Sequence, residues 1–228
     1  MQLNEYIKDN KIYAITGNSG SGKSSLISDI KIDKKIGIVN NDTAKCNLVI
    51  DQIEYYDIKY EFKIKELEDR KNEIIKMLEI DKGILNKSIY EISESEYTKV
   101  LICSVLLYNP SVIIIDELID SLDHKNKEKV FKLFIKLKRF FNKKIVVITS
   151  NIDDIYEFID NVIVLDEGNI ILSGNKYEVY DNIDLLNEKN IHIPNIVKFI
   201  KKMKDRGIKI DNVDTINELI KSVYREMR

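Results

Sequence analysis

The eight residues Gly17-Asn18-Ser19-Gly20-Ser21-Gly22-Lys23-Ser24 constrain the fold of this chain most, because they match the pattern G-x-x-x-x-G-K-[ST] in full. An apolar run at 11–16 precedes them and an amphipathic run at 25–30 follows them. The pattern therefore stands between a predicted strand and a predicted helix. In that setting the glycines let the backbone curl until its N–H groups point at bound phosphate. A Gly/Ser-rich turn that merely precedes a helix is the alternative interpretation.

This loop predicts a role for its last two residues. We expect Lys23 to reach the β- and γ-phosphates of a nucleotide from an exposed loop, and the Ser24 hydroxyl to take a Mg²⁺ position. The predicted nucleotide-contacting residues of this segment are Gly17, Asn18, Ser19, Gly20, Ser21, Gly22, Lys23, Ser24 and Ser25.

Two carboxylates, Asp116 and Glu117, follow a run of β-branched residues at 112–115. A run that is apolar on both faces predicts a central strand, and such a strand carries its last residues to the same sheet edge as the phosphate loop. Asp116 is suited to hold Mg²⁺, and Glu117 is suited to act as the base that orients water towards the γ-phosphate. The alternative for Glu117 is that it only caps a loop.

Composition narrows the class of protein. The chain has 228 residues with 44% apolar and 32% charged residues, which fits one main soluble domain with an appendage. No run approaches the ~18 apolar residues of a membrane span. A net charge of −2 provides no overall field for nucleic acid, so we expect no nucleic-acid partner. Two widely separated cysteines and the lack of a leader before the loop predict cytosolic residence.

Periodicity predicts the remaining elements. The 16 residues before Gly17 leave room for one or two short strands and a hairpin, and an amphipathic helical segment covers about 51–82. That segment is either a solvated face or a docking surface. Further predictions are a strand at 35–39, a helix opening at Ser93, a helix at 125–141, a strand at 144–149, a hairpin at 160–172, and tail helices starting at Pro194 and Thr215.

Taken together, these motifs resemble those of ATP-binding-cassette (ABC) ATPases over nearly the whole chain. Ser121-Leu122-Asp123 resembles the D-loop of that family, and Leu106-Leu107-Tyr108-Asn109-Pro110 resembles its approach to the Walker B strand. The hairpin at 162–174 is similar to the late hairpin of the family. The tail, with Leu185-Leu186 and Ile191-His192-Ile193-Pro194, is similar to that of energy-coupling-factor transporter ATPases.

The resemblance implies a P-loop NTPase of the α/β class, with a mainly parallel sheet, a reduced antiparallel β portion, a helical insertion and a C-terminal helical tail. It implies a nucleotide-binding domain over 1–180, with a helical subdomain at about 42–108, and a helical extension over 181–228. It also implies ATP and Mg²⁺ as cofactors, a second ABC ATPase subunit as partner, and an integral membrane transporter subunit. The chain would then lie at the cytoplasmic face of the membrane and drive uptake of a small nutrient.

The resemblance also assigns nucleotide contacts outside the phosphate loop, at Asn41, Ser93, Asp123 and Ser150. Two of these positions depart from the family pattern, and at a third, Ser93, the serine is kept but its neighbours differ. Asn41 stands where the family has a glutamine, Ser150 where it has the switch histidine, and 92–96 reads Ile-Ser-Glu-Ser-Glu where it has L-S-G-G-Q. In the family, the serine of this signature contacts the γ-phosphate held by the opposite subunit, where Glu94 or Glu96 would repel it.

The departures keep two other functions open. The first is a catalytically weak nucleotide-binding subunit that pairs with an active ABC ATPase, and the second is a soluble ABC-type ATPase not tied to transport.

The short stretch before Gly17 leaves Tyr6 as its candidate for stacking on adenine.

Overall fold

The structure is a computed structural model that describes residues 3–28, 36–60 and 64–226. At a few helical positions, Ser24 among them, it describes the backbone alone. The predicted helix at 25–30 and the predicted strand at 35–39 each extend beyond the described residues.

Six strands of the described chain form one sheet in the order β2-β3-β4-β1-β5-β6. They are β1 Ile12–Gly17, β2 Ile36–Val39, β3 Val112–Asp116, β4 Lys144–Ile148, β5 Asn161–Asp166 and β6 Asn169–Asn175. The first five are parallel, and β6 pairs antiparallel with β5. All five parallel strands therefore end at one edge of the sheet, which is where α/β proteins bind ligands.

Helices connect these strands and extend the chain beyond β6. They are α1 Lys23–Ser28, α2 Val49–Tyr60, α3 Ile64–Met77, α4 Glu94–Leu107, α5 His124–Phe141, α6 Lys176–Tyr180, α7 Ile183–Glu188, α8 Asn195–Asp205 and α9 Ile216–Glu226. The α/β class, the mainly parallel sheet, the helical insertion between β2 and β3, and the helical tail are confirmed. The short helices α6 and α7 were missed, because five or six residues give too little periodicity to detect.

Alternation along the strands divides the core between the two faces of the sheet. On β1, Ile12 and Ala14 face the larger cluster with α4 and α5, whereas Tyr13 and Ile15 face the smaller one. The other central strands alternate in the same way, so that both faces are buried, as in other sheets with crossover helices.

The chain before β1 differs from expectation. Residues 3–11 contain no strand; instead Leu3–Glu5 form a 3₁₀ turn, closed by the Tyr6 and Ile7 amides donating to the Leu3 carbonyl at 3.0 and 3.2 Å. Leu3 and Ile7 pack on the smaller face of the sheet. One turn of helix is enough to place both side chains on that face of the sheet. These few residues therefore cover the face without forming a hairpin.

The tail carries a small cluster of its own, formed by Ile200, Ile210 and Leu219. It attaches to the main sheet domain through His192 Nε2 and Asp153 Oδ2, 2.6 Å apart, and through a Lys176–Asp214 ion pair of 2.7 Å. Within the described residues, none of the helices combines the length and apolar character needed to cross a membrane.

Helix α4 lies directly on β2, with no space for a side chain at Gly37. A Cβ there would stand 2.5 Å from Val105 Cγ1 and 2.7 Å from Tyr108 Oη. The Tyr108 hydroxyl donates to the Ile36 carbonyl at 2.7 Å, so the helix and the strand cannot separate without losing this bond.

We therefore expect Gly37→Ala to destabilise the fold by roughly 1–3 kcal/mol, the cost of overpacking a dense core. Urea unfolding measures this, with Gly207→Ala as the matched control, because a Cβ at Gly207 would meet no atom. Gly207 has a φ of +79°, so the control reveals the cost of backbone strain alone. Gly37 has no positive φ, so unchanged stability of Gly37→Ala would contradict the packing explanation.

Candidate functional site

The phosphate loop is built directly against the β5–β6 hairpin. Gly17 has a φ of 150°, and a Cβ there would lie 2.2 Å from the Leu165 carbonyl oxygen. At the other end of the loop, a Cβ on Gly22 would lie 3.1 Å from Gly168 Cα, and the Gly168 amide donates to the Ser21 carbonyl at 2.9 Å. Glycine at 17 and 22 is thus required both by the backbone conformation and by the close approach of the hairpin.

Lys23 is buried, and the expectation that it lies on an exposed loop is wrong. Only 5% of the residue is accessible, and its ammonium donates to the carbonyls of Gly17 and Asn18 at 2.8 and 2.9 Å. The lysine therefore folds back across the curve of its own loop. These two bonds hold the loop in the curled shape that exposes its amides.

The remaining loop residues differ in exposure. Ser21 is buried, and its hydroxyl has no hydrogen-bond partner within the described residues, whereas Ser19, Gly20 and Ser25 are exposed. Ser24 is the second residue of α1, but its side chain lies outside the described part of the structure.

Asp116 ends β3 at the same sheet edge. Its Oδ1 is buried and accepts no hydrogen bond from the described residues. Burial and the adjacent Glu117 carboxylate raise the pKa of Asp116, and the Lys23 ammonium opposes that shift. The charges of Lys23 and Asp116 thus act on each other. This is so although β4 lies between β1, which leads into the phosphate loop, and β3, which ends at Asp116.

Glu117 adopts a left-handed conformation with a φ of 59°, which is uncommon for a non-glycine residue. Its amide donates to the Ile148 carbonyl at 3.0 Å, which fixes this turn against the end of β4. The side chain is exposed and does not cap the following 3₁₀ turn. The alternative role as a loop cap therefore has no support in the structure.

A cavity of about 590 Å³ opens beside these carboxylates. It brings together Asn41, Asp116 and Glu117 from the predicted site with Glu94 from the start of α4. The carboxylates that line it are Asp42, Glu94, Asp116, Glu117 and Asp120. This concentration of negative charge favours cations and disfavours bare phosphate.

The segment after β2 is held by side chains that sequence patterns did not indicate as functional. Asn41 is exposed and begins a 3₁₀ turn, while the Asn40 amide donates to Thr43 Oγ1 at 2.8 Å. Behind the turn, the fully buried Gln52 accepts from the Lys45 amide at 2.7 Å and donates to the Thr43 carbonyl at 3.1 Å. Its position beside Val49 and Ile53, on the buried face of α2, is the signal that could have identified it.

Ser150 follows β4 at the exposed edge, in the place where the family has its histidine. The preceding Thr149 is fully buried and donates to both carboxylate oxygens of Asp120, at 2.7 and 3.0 Å. Thr149 thus ties the end of β4 to the turn that follows Glu117. Ser150 and Ser93 are not among the residues lining the 590 Å³ cavity.

Ser93 is occupied as the N-cap of α4. Its amide and hydroxyl donate to Glu96 Oε2 at 2.9 and 2.7 Å, and the Glu96 amide donates back to its oxygen at 3.3 Å. These bonds to Ser93 lower the pKa of Glu96. Both residues thus form a capping box, in which the acidic group at the position of the family's glutamine serves the helix start.

Asp123 is likewise an exposed helix cap, at the start of α5. It accepts from the Asn126 amide at 2.8 Å and from the Asn126 side chain at 2.7 Å, and these bonds lower its pKa. Just before it, Ser121 Oγ lies 2.9 Å from Thr98 Oγ1, which joins the predicted D-loop to α4.

The tail contacts the phosphate loop, which no sequence pattern indicated. Asn18 Nδ2 donates to the Lys189 carbonyl at 2.9 Å, and the Lys189 ammonium lies 3.0 Å from Asp166 Oδ2 at the end of β5. Loop, hairpin and tail therefore meet at one place.

Comparisons with known proteins agree with this geometry. The ABC transporter family model matches residues 1–120. The energy-coupling factor transporter ATP-binding protein of Enterococcus faecalis is 26% identical over 99% of this chain and 89% of its own length, and that of Mycoplasma capricolum is 27% identical over 97% and 88%. Among solved structures, cbiO1 of Clostridium perfringens, part of the ABC transporter complex cbiONQ, has a TM-score of 0.66 at 25% identity, covering 86% of this chain and 89% of that one. A dimeric bacterial ABC transporter cassette has a TM-score of 0.65 at 26% identity, covering 74% and 87%.

We expect Lys23→Ala to weaken nucleotide binding by roughly a hundredfold, since it removes a charge-assisted phosphate contact and two bonds that shape the loop. Titration with a fluorescent ATP analogue measures this. Lys143→Ala is the matched control, because Lys143 is similarly buried and also donates to a backbone carbonyl, that of Asn109, before the start of β4. Similar affinity of the Lys23 variant and the natural chain would remove the phosphate-loop assignment.

Proposed function

This chain belongs to the ABC transporter family of ATPases, and from that premise we propose that it binds MgATP at the phosphate loop and powers uptake of a small nutrient. It does so as the ATP-binding subunit of an energy-coupling-factor-like transporter, paired with a second ABC ATPase and bound to an integral membrane subunit. The near full-length match to energy-coupling factor ATP-binding proteins, tail included, supports this assignment. In the same assignment the chain lies at the cytoplasmic face of the membrane.

One observation carries the chemical part of the proposal: the buried, unpartnered Oδ1 of Asp116 beside the phosphate loop. Burying a carboxylate oxygen without a donor costs free energy unless a ligand satisfies it. A hard oxygen of this kind is what Mg²⁺ prefers, so the residue fits the ion. Asp116 would hold Mg²⁺ with the Ser24 hydroxyl, and the bound ion would neutralise charge on the nucleotide phosphates.

Glu117 is suited to the base in ATP hydrolysis because its carboxylate is exposed at the cavity while its backbone is fixed. The hydrogen bond from its amide to the Ile148 carbonyl and the left-handed φ define the backbone of this turn. The side chain can thus accept a proton from a water molecule in the cavity as that water attacks phosphate. Lys23 and the loop amides hold the phosphates still for this attack.

The experiment that tests the proposal compares the purified chain with the chain co-expressed with a candidate ATPase and a candidate membrane subunit. We expect ATP turnover to rise on assembly, and nutrient uptake by vesicles containing the complex to require ATP. An assembled complex that hydrolyses ATP without uptake would support the alternative of an ABC ATPase not tied to transport.

A second candidate function is a nucleotide-binding subunit that itself hydrolyses little. The observation that favours it is the Ser93 hydroxyl, which is bound to Glu96 and is not free to contact phosphate across a dimer. Asn41 and Ser150 add to this, because both are shorter than the glutamine and histidine of the family.

We expect Glu117→Gln to retain MgATP binding but to lower turnover by roughly 10²-fold or more, the scale of losing a general base. Steady-state phosphate release by the assembled complex measures the rate. Glu94→Gln is the matched control, since Glu94 lines the same cavity and loses the same charge. Turnover in the Glu117 variant equal to that of the control would exclude Glu117 as the base.

The Ser93 geometry predicts an unequal pair of sites. In a homodimer, Glu94 and Glu96 would stand near γ-phosphate in both sites, whereas a heterodimer confines them to one. We therefore expect Ser93→Ala to leave turnover nearly unchanged and to cost about 1 kcal/mol of stability as a lost helix cap. Mutation of the signature serine in the partner should abolish the turnover that Glu117 supports.

Turnover assays on the complex and urea unfolding of the isolated chain measure the two effects of the Ser93 substitution. A purified chain that forms an ATP-dependent homodimer with full turnover, lost in Ser93→Ala, would overturn the unequal pair. That result would leave the transport assignment intact.

A further inference from the structure

A second cavity, of about 250 Å³, lies at the opposite edge of the sheet from the phosphate loop, where β3 and β4 begin. We call it the basal cavity and define it by Arg70, Met77, Leu106, Ile113, Leu137 and Lys143. Helices α3, α4 and α5 form its walls together with the first residues of β3. None of the residues assigned to nucleotide binding lines it.

The polar end of the basal cavity is a buried lysine. Lys143 is only 8% accessible, and its ammonium donates to the Asn109 carbonyl at 3.0 Å. An ammonium has three donors, and no carboxylate of the described chain forms an ion pair with this one. Burial and the nearby Arg70 charge lower the pKa of Lys143 to about 8.

A second cation, Arg70, stands at the same end, and its Nη2 donates to the Leu106 carbonyl at 2.9 Å. Both cations thus bind carbonyls at the carboxyl end of α4, which a purely structural role explains. That role needs neither a cavity beside Lys143 nor its near-complete burial, since a helix end can be satisfied at the surface. The third ionisable group of the lining, Glu73, is exposed.

Apart from Asn109, whose carbonyl accepts from Lys143, the rest of the lining is apolar. It consists of Ile74, Met77, Leu106, Pro110, Ile113, Leu133, Leu137 and Phe141. Ligand pockets combine such walls with a few convergent polar groups and usually hold about 300–1,000 Å³, so this one takes a small molecule.

We propose that the basal cavity is a binding site for a small carboxylate with an apolar chain, whose head group pairs with Lys143 and whose chain lies against Met77, Ile113 and Leu137. A carboxylate is the favoured head group because the Lys143 ammonium presents donors there and the Arg70 charge stands beside it. An amine would be repelled by these cations, and a phosphate ion would leave the apolar wall without a contact. This site is separate from the proposed transport function.

The basal cavity lies at one end of β3 and α4, and residues of the proposed nucleotide site lie at the other end of both elements. Ile113 and Leu106 line the basal cavity, while the other ends of the same strand and helix bear Asp116 and Glu94. A ligand in the basal cavity would therefore contact both elements without touching nucleotide.

The absence of tryptophan from the chain allows a fluorescence test. Phe141 lines the basal cavity and is 60% accessible, whereas its neighbour Phe140 is 75% accessible and does not line it. We expect Phe141→Trp to show a saturable emission change with octanoate, and Phe140→Trp to show none. Octan-1-ol and octylammonium, titrated at the same concentrations, should bind at least roughly tenfold more weakly, because they lack the charged acceptor.

Calorimetry on the unlabelled chain tests the role of Lys143. Octanoate affinity should fall as the pH rises above about 8, where the free lysine loses its proton, and should stay level below it. Lys143→Met should weaken binding roughly tenfold or more and abolish this pH dependence. Lys136→Met, an exposed charge on the same helix α5, should bind as the natural chain does.

Equal octanoate affinity in the natural chain and in Lys143→Met, or equal binding of octan-1-ol, would overturn the proposal. So would the absence of a saturable signal in Phe141→Trp together with no calorimetric heat. If Lys143→Met fails to fold, Met77→Trp fills the apolar wall instead and should block octanoate binding. Retained affinity in that variant would count equally against the site.

Discussion

The close approach of the phosphate loop to the β5–β6 hairpin is the constraint on which the nucleotide site depends. No side chain fits between Gly17 and the Leu165 carbonyl, and the Gly168 amide binds the Ser21 carbonyl directly. The loop is therefore shaped from outside as well as by its own Lys23 bonds. Because Lys189 of the tail binds both Asn18 and Asp166, the tail joins this contact. A change in the position of the tail would alter its hydrogen bond to Asn18, the second residue of the phosphate loop.

The negative charge around the cavity beside the phosphate loop determines which ligands can bind there. Five carboxylates line the cavity beside the loop, and in this chain the start of α4 contributes one of them. Each phosphate group brought there adds repulsion unless cations accompany it. The Ser93–Glu96 capping box uses Oε2 of one further carboxylate for the helix start. The Ser93 hydroxyl is thereby bound to its own helix, and this local geometry is the basis of the proposed unequal pair of sites.

How far the sequence predicts this structure depends on how local each signal is. The phosphate loop, the β3 carboxylates and the helix start at Thr215 are encoded within a few neighbouring residues, and the structure forms each of these elements where expected. At the last of them, Glu218 Oε2 accepts from the Thr215 amide and the Glu218 amide donates to Thr215 Oγ1. The roles of the individual site residues stay predictions. The burial of Lys23 and the contact of Lys189 with Asn18 depend on residues brought together only by folding. The length of the stretch before β1 is compatible with short strands, whereas its actual 3₁₀ turn depends on Leu3 and Ile7 packing together on the sheet, which length does not reveal.

Helix α4 and strand β3 give the molecule two chemically different ends. At the carboxyl edge of the sheet they present Glu94, Asp116 and Glu117; at the opposite edge Lys143 and Arg70 bind backbone carbonyls near the end of α4. The same alternating register that places Ile113 and Ile115 against α4 keeps both ends fixed relative to each other. Dense packing such as that of Gly37 against Val105 leaves the helix no room to tilt at one end alone. A nucleotide at one edge and the proposed basal ligand at the other would therefore contact the same helix and strand, and these two elements connect the sites physically.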